Sequence, residues 1–332
     1  MELQAAEWLA IVRRDYLEAY IRRGGAAIKF GVPADGQAGR DACAGELRAA
    51  ALDAGFCFAA IDSRLAKIHL VDQLFFHVAR QIDWDALTDG FLRRLFSAHR
   101  YHLPDDGTLT LARIADANEL DPMELDYRVE GLLSENVYHN YALSYEFRVG
   151  MRRLCEARLK PEGPAGSLAE PLRQWLTGDL RTISALKQAR IYKKIARHTA
   201  RHMLVSLAQW ARLAGAAGLV LALDIGRYTE GARPSEPDGT LYYGGSATID
   251  LYEVLRQFID GTDELQYCFV LVLAAPSFLS DDRRGLNRYD ALRLRISDEV
   301  HDRGRVNPLA SLIRIARPGD VQSRPIERGA QA

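Results

Sequence analysis

The sequence is poor in cysteine: its 332 residues include four, Cys43, Cys57, Cys155 and Cys268. None of them forms a C-x-x-C pair, and their spacing fits neither a zinc site nor a disulfide framework. We therefore expect free, mostly buried thiols in a protein of a reducing compartment.

Long apolar runs and net charge are also lacking. No stretch reaches about 18 uninterrupted apolar residues, which excludes a transmembrane helix. The first twenty residues carry six charged side chains and no apolar signal core, so we expect a cytoplasmic protein with no membrane partner. With 43 Lys+Arg against 44 Asp+Glu, the formal net charge is -1. This excludes a protein that wraps nucleic acid with its whole surface but leaves a local basic face open.

Composition and length point to a folded protein. Hydrophobic residues make up 48% and charged residues 26%, values that exclude disordered, collagen-like and coiled-coil chains. The length predicts one large α/β domain, or an α/β core with an inserted subdomain.

Apolar runs bounded by turns predict strands, and a helical period of apolar residues predicts helices. The predicted strands are 26–32, 56–61, 218–223 and 267–275; the main predicted helices are 3–22, 41–54, 183–213, 249–259 and 289–302. Asp41 is the expected N-cap after a turn at 33–39, and a long surface loop is expected at 227–243. The predicted organisation is an N-terminal helix and half of the α/β core (1–66), a mainly helical insertion (67–212), the other half of the core (213–316) and a disordered tail (317–332).

A Gly-rich turn follows the first predicted strand. Residues 31–38 read G-V-P-A-D-G-Q-A and match the P-loop spacing G-x-x-x-x-G-K-[ST], with Gly31 and Gly36 as its glycines. Gln37 stands where the phosphate-binding Lys belongs, and Ala38 stands where the Mg²⁺-binding hydroxyl belongs. Binding of ATP and Mg²⁺ is therefore expected to be weak or lost, although Arg40 is near enough to supply a charge. The alternative interpretation is an ordinary turn between a strand and a helix.

Two further predicted strands are followed by polar residues. The run at 219–223 precedes Asp224, the Walker B pattern in which the acid holds Mg²⁺, and Ser277 follows the strand at 267–275, where a γ-phosphate sensor would lie. The next segment is dense in arginine, and Arg288 and Arg295 are candidate finger or sensor residues. The alternatives are a buried strand that ends in Asp, a Ser in a turn, and arginines that pair with neighbouring carboxylates.

Five basic residues step by three and four positions along the predicted helix 183–213 and would share one face. They are Lys187, Arg190, Lys194, Arg197 and Arg201. Such a stripe can contact a nucleic-acid backbone; a solvated face and an acidic partner are the alternatives. His198 and His202 have the spacing of zinc ligands, but Thr199 replaces the protease Glu, so we expect no metal there.

Several blocks of the sequence together resemble one known family. They are RRGGAAIKF (22–30), KIHLVDQLFFHVARQIDW (67–84), LVLALDI (219–225), YEVLRQFID (252–260), RRGLNRYDALRLRI (283–296) and VNPLASL (306–312). As a set they look like the P-loop ATP-binding domain family of BREX phage-defence systems (BrxC/BrxD-like). The resemblance implies a P-loop NTPase, AAA+-like α/β core with a parallel sheet and a large helical insertion. It also implies partners among defence proteins, such as a helicase or a methyltransferase.

Carried onto this sequence, the resemblance puts Gly31, Gly36, Gln37 and Ala38 at Walker A positions and Asp224 at the Walker B acid. The leading hypothesis is a degenerate P-loop protein, a scaffold or regulatory subunit of a DNA-targeting defence complex, as a homo- or hetero-oligomer. One alternative is an active ATPase on DNA, with Arg40 or Lys29 replacing the missing Lys. The other is a DNA-binding adaptor that binds no nucleotide.

Overall fold

A sheet of five parallel strands lies at the centre of the computed structural model, which describes residues 3–230, 239–297 and 307–317. The strands are β1 (Ala26–Pro33), β2 (Cys57–Asp62), β3 (Leu219–Asp224), β4 (Cys268–Leu273) and β5 (Leu312–Ile315). Their order across the sheet is β2-β3-β4-β1-β5. The predicted α/β class and parallel sheet are confirmed.

Strands β3 and β4 lie inside the sheet because their side chains are apolar on both faces. Every residue of LVLALD and of CFVLVL is buried. Strands of a parallel sheet that is covered by helices on both faces are typically continuous apolar runs of this kind. Residues Leu219 to Asp224 of β3 pair in register with Cys268 to Leu273 of β4.

Helices account for most of the remaining described chain. α1 (Ala5–Ile11) continues as a π-helical stretch (Val12–Tyr20) and a 3₁₀ turn (Ile21–Arg23), and α2 (Gly36–Asp53) joins β1 to β2. Between β2 and β3 lie α3 (Val71–Ala79), α4 (Trp84–Ala98), α5 (Leu111–Ala117), α6 (Pro122–Leu133), α7 (Tyr145–Leu159), α8 (Ala169–Thr177) and α9 (Arg197–Leu213). After β3 come α10 (Gly226–Thr229) and α11 (Gly245–Asp260), and after β4 come α12 (Ser277–Ser280) and α13 (Asp290–Ile296).

The two faces of the sheet are covered by different connections. Cys43 and Leu47 of α2 pack with Phe269 of β4 in one hydrophobic cluster, which also holds residues of α1. Val270 of β4 faces the other cluster, together with the helices between β2 and β3 and with α11 and α13. The connection after β1 therefore leaves toward one face and the connection after β4 toward the other, as right-handed crossovers require.

The helices between β2 and β3 share the second cluster with the sheet. Trp210 of α9 is fully buried, its ring 4.6 Å from that of Phe91 on α4 and 6.4 Å from that of Phe147 on α7. Leu204 and Leu207 of α9 belong to the same cluster as Leu221 of β3. This helical region is thus anchored to the sheet through α9.

Two predictions around β1 were wrong. The helix predicted at 41–54 begins at Gly36, so Asp41 lies inside α2 and is not its N-cap. Strand β5 was not predicted; it pairs with β1 from Phe30 to Pro33 and keeps these residues extended. The added pairing explains why the predicted turn at 33–39 shrinks to two residues, Ala34 and Asp35.

The long helix predicted at 183–213 is confirmed only from Arg197 onward, as α9. A 3₁₀ turn (Ile183–Leu186) and an irregular segment, residues 187–196, precede α9. Arg190 has a φ of 62°, a left-handed conformation that no α-helix accommodates. Trp175 of α8 donates its indole N–H to the carbonyl of Lys193, which fixes the irregular path.

Several predictions reach beyond the described residues. The surface loop at 227–243 lies partly outside them, as does the end of the helix predicted at 289–302, whose described part is α13. The disordered tail predicted from residue 317 lies outside them apart from Arg317. Within the described ranges, the thiols of Cys43, Cys155 and Cys268 are free and buried, and Cys57 is free and half-buried. Among the described helices none is long and apolar enough to cross a membrane.

Candidate functional site

The carboxyl ends of β1, β3 and β4 meet at one edge of the sheet. Asp224, the last residue of β3, is level with Leu273, the last residue of β4. Because the connections after β1 and β4 leave toward opposite faces, a crevice is expected between the ends of these two strands. Open α/β sheets bind their ligands at such topological switch points. Asp224 and the turn after β1 are therefore candidates for a binding site.

The turn after β1 differs from an open phosphate-binding loop. Gly31 lies within the sheet, paired with Leu273 of β4 and Ile313 of β5. A Cβ at this position would lie 3.2 Å from Cδ1 of Ile315, so glycine allows close packing of β5 there. Only Ala34 and Asp35 connect the strand to α2, which starts at Gly36 with a φ of 60°. The spacing of the two glycines is thus kept while the loop between them is short.

Arg40 of α2 is buried at this edge, with a fully covered side chain. Its Nη1 and Nη2 donate to Oε1 and Oε2 of Glu230 at 3.1 and 2.8 Å. Its Nε lies 2.9 Å from Oδ1 of Asp224 as an ion pair, although the N–H direction is not aligned for a hydrogen bond. Burial lowers the pKa of the Arg40 guanidinium, but the hydrogen bond with Glu230 and the charges of both carboxylates outweigh it and raise that pKa.

Gln37 completes this cluster of side chains. Its Nε2 donates to Oδ2 of Asp224 and to Oδ1 of Asp41, each at 2.8 Å, and its Oε1 accepts from Nη2 of Arg40 at 2.9 Å. The backbone N–H of Gly226 donates to Oδ1 of Asp224 at 2.8 Å. Both oxygens of Asp224 thus accept hydrogen bonds from the protein, and the Arg40 guanidinium already places a positive charge beside them. We call Gln37, Arg40, Asp224 and Glu230 the Arg40 cluster.

The other residues predicted for this edge are held by neighbours. Ala38 is exposed on the first turn of α2. Ser277 donates to Oγ1 of Thr229 at 3.0 Å, which links the ends of β4 and β3. Lys29 is 7% exposed in the middle of β1, and its Nζ donates to the carbonyls of Leu309 and Ala310 at 2.5 and 3.2 Å. Lys29 therefore stabilises the segment before β5 and does not reach the cluster.

The two candidate finger arginines lie in different surroundings. Arg295 pairs with Asp260 of α11 and lines a cavity at the start of β1, beside Ala26 and Ala27. Arg295 therefore lies at the opposite end of β1 from the Arg40 cluster. Arg288 is exposed in the 3₁₀ turn (Leu286–Arg288) that precedes α13.

The five basic residues expected on one helix face do not lie on a single helix. Lys187, Arg190 and Lys194 lie in the irregular segment, and Arg197 and Arg201 lie in the first turns of α9. Lys194 donates to the carbonyl of Arg181 at 3.1 Å, and Arg201 pairs with Glu264. The basic residues are nevertheless close in sequence, and all but Arg201 are exposed.

Sequence reasoning missed Glu230 and Gly226. Glu230 is 190 residues from its partner Arg40 and carries no motif of its own. Gly226 lies in contact with Arg40: a Cβ there would lie 2.4 Å from Cζ of the guanidinium. Within the described residues, no group of three or more His, Cys, Asp and Glu side chains is arranged to hold a metal ion.

These features are those of an α/β protein and are consistent with an NTPase-like architecture: a parallel sheet lies between helices, with an acid and a short turn at its carboxyl edge. The model of the family described as BREX system ATP-binding protein BrxC/D matches residues 240–317. This confirms the resemblance to the BrxC/D family over a segment that contains β4, β5 and Ser277, but neither Gly36 nor Asp224. No curated protein and no solved structure matches the chain.

Proposed function

We propose that this protein is a BREX-system subunit whose nucleotide site is closed by its own side chains, and that it acts as a scaffold or regulator through partner contacts. The observation that carries the proposal is the Arg40 guanidinium, which is buried against Asp224 and Glu230. The family match supports the BREX context and descent from an ATP-binding protein.

Electrostatics supports weak or absent binding of Mg²⁺ and ATP. Asp224 would have to release Gln37 and Arg40 before it became a ligand for Mg²⁺. Breaking a buried ion pair costs about 3–5 kcal/mol, which weakens a competing ligand by roughly two to four orders of magnitude. Gln37 also offers no charge to a triphosphate, and Ala38 offers no oxygen to the metal. The site thus supports a nucleotide-independent role better than catalysis.

Calorimetric titration of ATP, with and without Mg²⁺, tests the proposal. We expect no Mg²⁺-dependent binding below millimolar concentration and no hydrolysis. We expect the same of the double variant Gln37→Lys with Ala38→Ser, because Arg40 still neutralises Asp224. Micromolar Mg²⁺-dependent binding with turnover by the unmodified protein, little changed in the double variant, would contradict the proposal.

A third substitution separates the closing role of Arg40 from the missing P-loop side chains. Adding Arg40→Ala to the double variant frees Asp224, while the lysine introduced by Gln37→Lys still offers a cation, so Mg²⁺-dependent ATP binding is expected to appear. The matched control adds Arg48→Ala, an exposed position of the same helix, and should gain nothing. A folded triple variant that gains no binding would show that Arg40 does not close the site.

The proposed partners are other proteins of the same system, such as its helicase or methyltransferase, and DNA through them. Co-expression followed by affinity purification identifies these partners, and light scattering gives the stoichiometry. If the protein is purified without a partner although every other component of the system is co-expressed, it does not act as the scaffold of that system.

A further inference from the structure

Tyrosine and arginine side chains form a second surface, far along the chain from the Arg40 cluster. The Cζ atom of Arg148, on α7, lies 4.8 Å from the ring centroid of Tyr141, 5.8 Å from that of Tyr145 and 6.0 Å from that of Tyr138. Its Nη1 donates to the carbonyl of Tyr138 at 2.9 Å, which holds it among the rings. Arg152, one turn later, lies 5.9 Å from the ring of Tyr138.

The rings of this surface face solvent. Tyr141 is 81% exposed and Tyr145 is 50% exposed. An isolated exposed tyrosine needs no explanation. Here, however, several rings are gathered around guanidinium groups, and cation–π contact fixes their positions. Ordered rings that keep an open face are suited to stacking against a planar ligand.

The basic segment 187–197 adjoins these rings. The hydrogen bond with Tyr138 raises the pKa of Tyr145, and the charge of Arg190 acts on the same hydroxyl in the opposite direction. Trp175 joins the two regions. Its indole N–H donates to the carbonyl of Lys193. Its ring packs against Gly150 of α7, where a Cβ would lie only 3.1 Å from the ring. We call this combined area the Tyr141 surface.

The sequence segment around these basic residues carries charge of one sign, although Arg197 pairs with Asp72 of α3 and Arg201 with Glu264. Residues 180–223 contain eight Lys and Arg and no Asp or Glu, although the whole chain has a net charge of -1. The exposed members of the segment are Lys187, Arg190, Lys193, Lys194 and Arg197, and Tyr192 between them is 65% exposed. The Tyr141 surface therefore combines positive charge with open aromatic rings.

We infer that the Tyr141 surface binds single-stranded nucleic acid, with unpaired bases stacked on the tyrosines and phosphates beside the basic segment. Stacking accepts any base, because every base has a planar face, and basic residues follow the backbone. A duplex hides its base faces and offers only phosphates. An acidic peptide likewise satisfies the charges and leaves the rings unused. The inference does not depend on the state of the Arg40 cluster.

Fluorescence anisotropy with an oligothymidylate of about 20 nucleotides, longer than a typical site of roughly 4–16, tests the inference. Loss of one stacking ring in Tyr141→Ala should weaken binding about 5- to 150-fold, whereas Tyr141→Phe should retain it. The control Tyr127→Ala removes an equally exposed tyrosine, 81% exposed on α6, and should change nothing. Because Tyr141 projects into solvent, its removal leaves the core unchanged.

Salt dependence tests the basic part of the same surface. Arg190→Glu with Lys193→Glu should lower the slope of log affinity against log salt by about 1.4, that is 0.7 for each lost phosphate contact. The control Arg23→Glu with Arg48→Glu makes the same charge change at exposed positions elsewhere and should keep the slope.

Four outcomes would overturn the inference. They are no binding of the single strand, a duplex bound as tightly as the single strand, equal losses in Tyr141→Ala and Tyr127→Ala, and polyglutamate bound more tightly than oligothymidylate. The last would identify the surface as a site for acidic protein. A ribonucleotide strand of the same length separates RNA from DNA as the source.

Discussion

Among single residues, Arg40 depends most on its neighbours, because a buried guanidinium is stable only where carboxylates surround it. Glu230 accepts hydrogen bonds from Nη1 and Nη2 of Arg40, and Oδ1 of Asp224 lies 2.9 Å from its Nε. Gly226 contributes by having no side chain, since any Cβ there would enter the guanidinium. The position of Arg40 thus depends on one glycine as well as on the charged groups.

Substitution Gly226→Ala is therefore expected to push Arg40 away from its carboxylates. We expect the free energy of unfolding to fall by about 1–3 kcal/mol, as in other overpacked cores. Gly45→Ala is the matched control, because Gly45 lies in α2 with open space around it. Alanine at this position should raise the free energy of unfolding by about 0.5–1 kcal/mol. Urea denaturation of both variants checks the prediction, and equal shifts would contradict it.

The sequence predicted part of this site. Gln37 and Asp224 follow from the P-loop and Walker B spacing, which places them after predicted strands, and Arg40 was named as a charge close to the same turn. Glu230 has no such marker, and its role depends on how α10 turns after β3. No local pattern encodes a contact between residues 190 positions apart.

At the scale of elements, α11 and α13 are joined by a network around Glu253. The carboxylate of Glu253 accepts from Nε of Arg256 at 2.8 Å, from Nε2 of Gln257 at 2.7 Å and from the hydroxyl of Tyr289. The hydrogen bond from Arg256, helped by that from Tyr289, lowers the pKa of Glu253 from 4.5 to about 2. The contact between these helices, both in the family-matched segment, is therefore sensitive to acid.

The stabilisation from Glu253 is complete above its unfolded pKa of about 4.5 and is lost as the pH falls toward 2. We expect Glu253→Gln to lower Tm at neutral pH, and we expect this difference to shrink below pH 4.5 and to vanish only as the pH falls below about 2. Thermal unfolding of both proteins across this range measures it. Glu7→Gln, at an exposed position, should show no such pH dependence; a constant Tm difference for Glu253→Gln would refute the assignment.

Elements with strong apolar runs were predicted well, and short or irregular ones were not. The four longer strands were found because buried parallel strands are apolar throughout. Strand β5 has four residues, and Arg314 within it is exposed, so its pattern is too weak to detect. The break before α9 depends on Trp175 and on the left-handed Arg190, whereas the local sequence favours a helix.

At the scale of the whole molecule, the arginines Arg288, Arg293 and Arg295 of the family-matched segment have different surroundings. Arg293 pairs with Asp290 at 2.8 Å, and Arg295 pairs with Asp260. Arg288 is exposed in the turn before α13. An arginine finger can be supplied to a site by a neighbouring subunit, and we propose that Arg288 has this role.

Arg288→Ala is therefore expected to lower the ATPase rate of the assembled system by about 10³-fold or more, the usual contribution of such a finger. The protein alone should be unaffected. Arg293→Ala, which removes an arginine from α13 that already has a carboxylate partner, is the matched control. Steady-state ATPase assays of the reconstituted complex measure the effect; equal rates for the two variants would exclude a finger at Arg288.

The pairing of β1 with β5 also sets an order of events during synthesis. Phe30 pairs with Leu312, 282 positions later, so at 5–20 residues per second the ribosome needs roughly 15–55 s to supply the partner. Until then one edge of β1 is uncovered, and an uncovered strand edge is a template for aggregation. The nascent chain thus exposes an edge that is prone to aggregation during most of its synthesis.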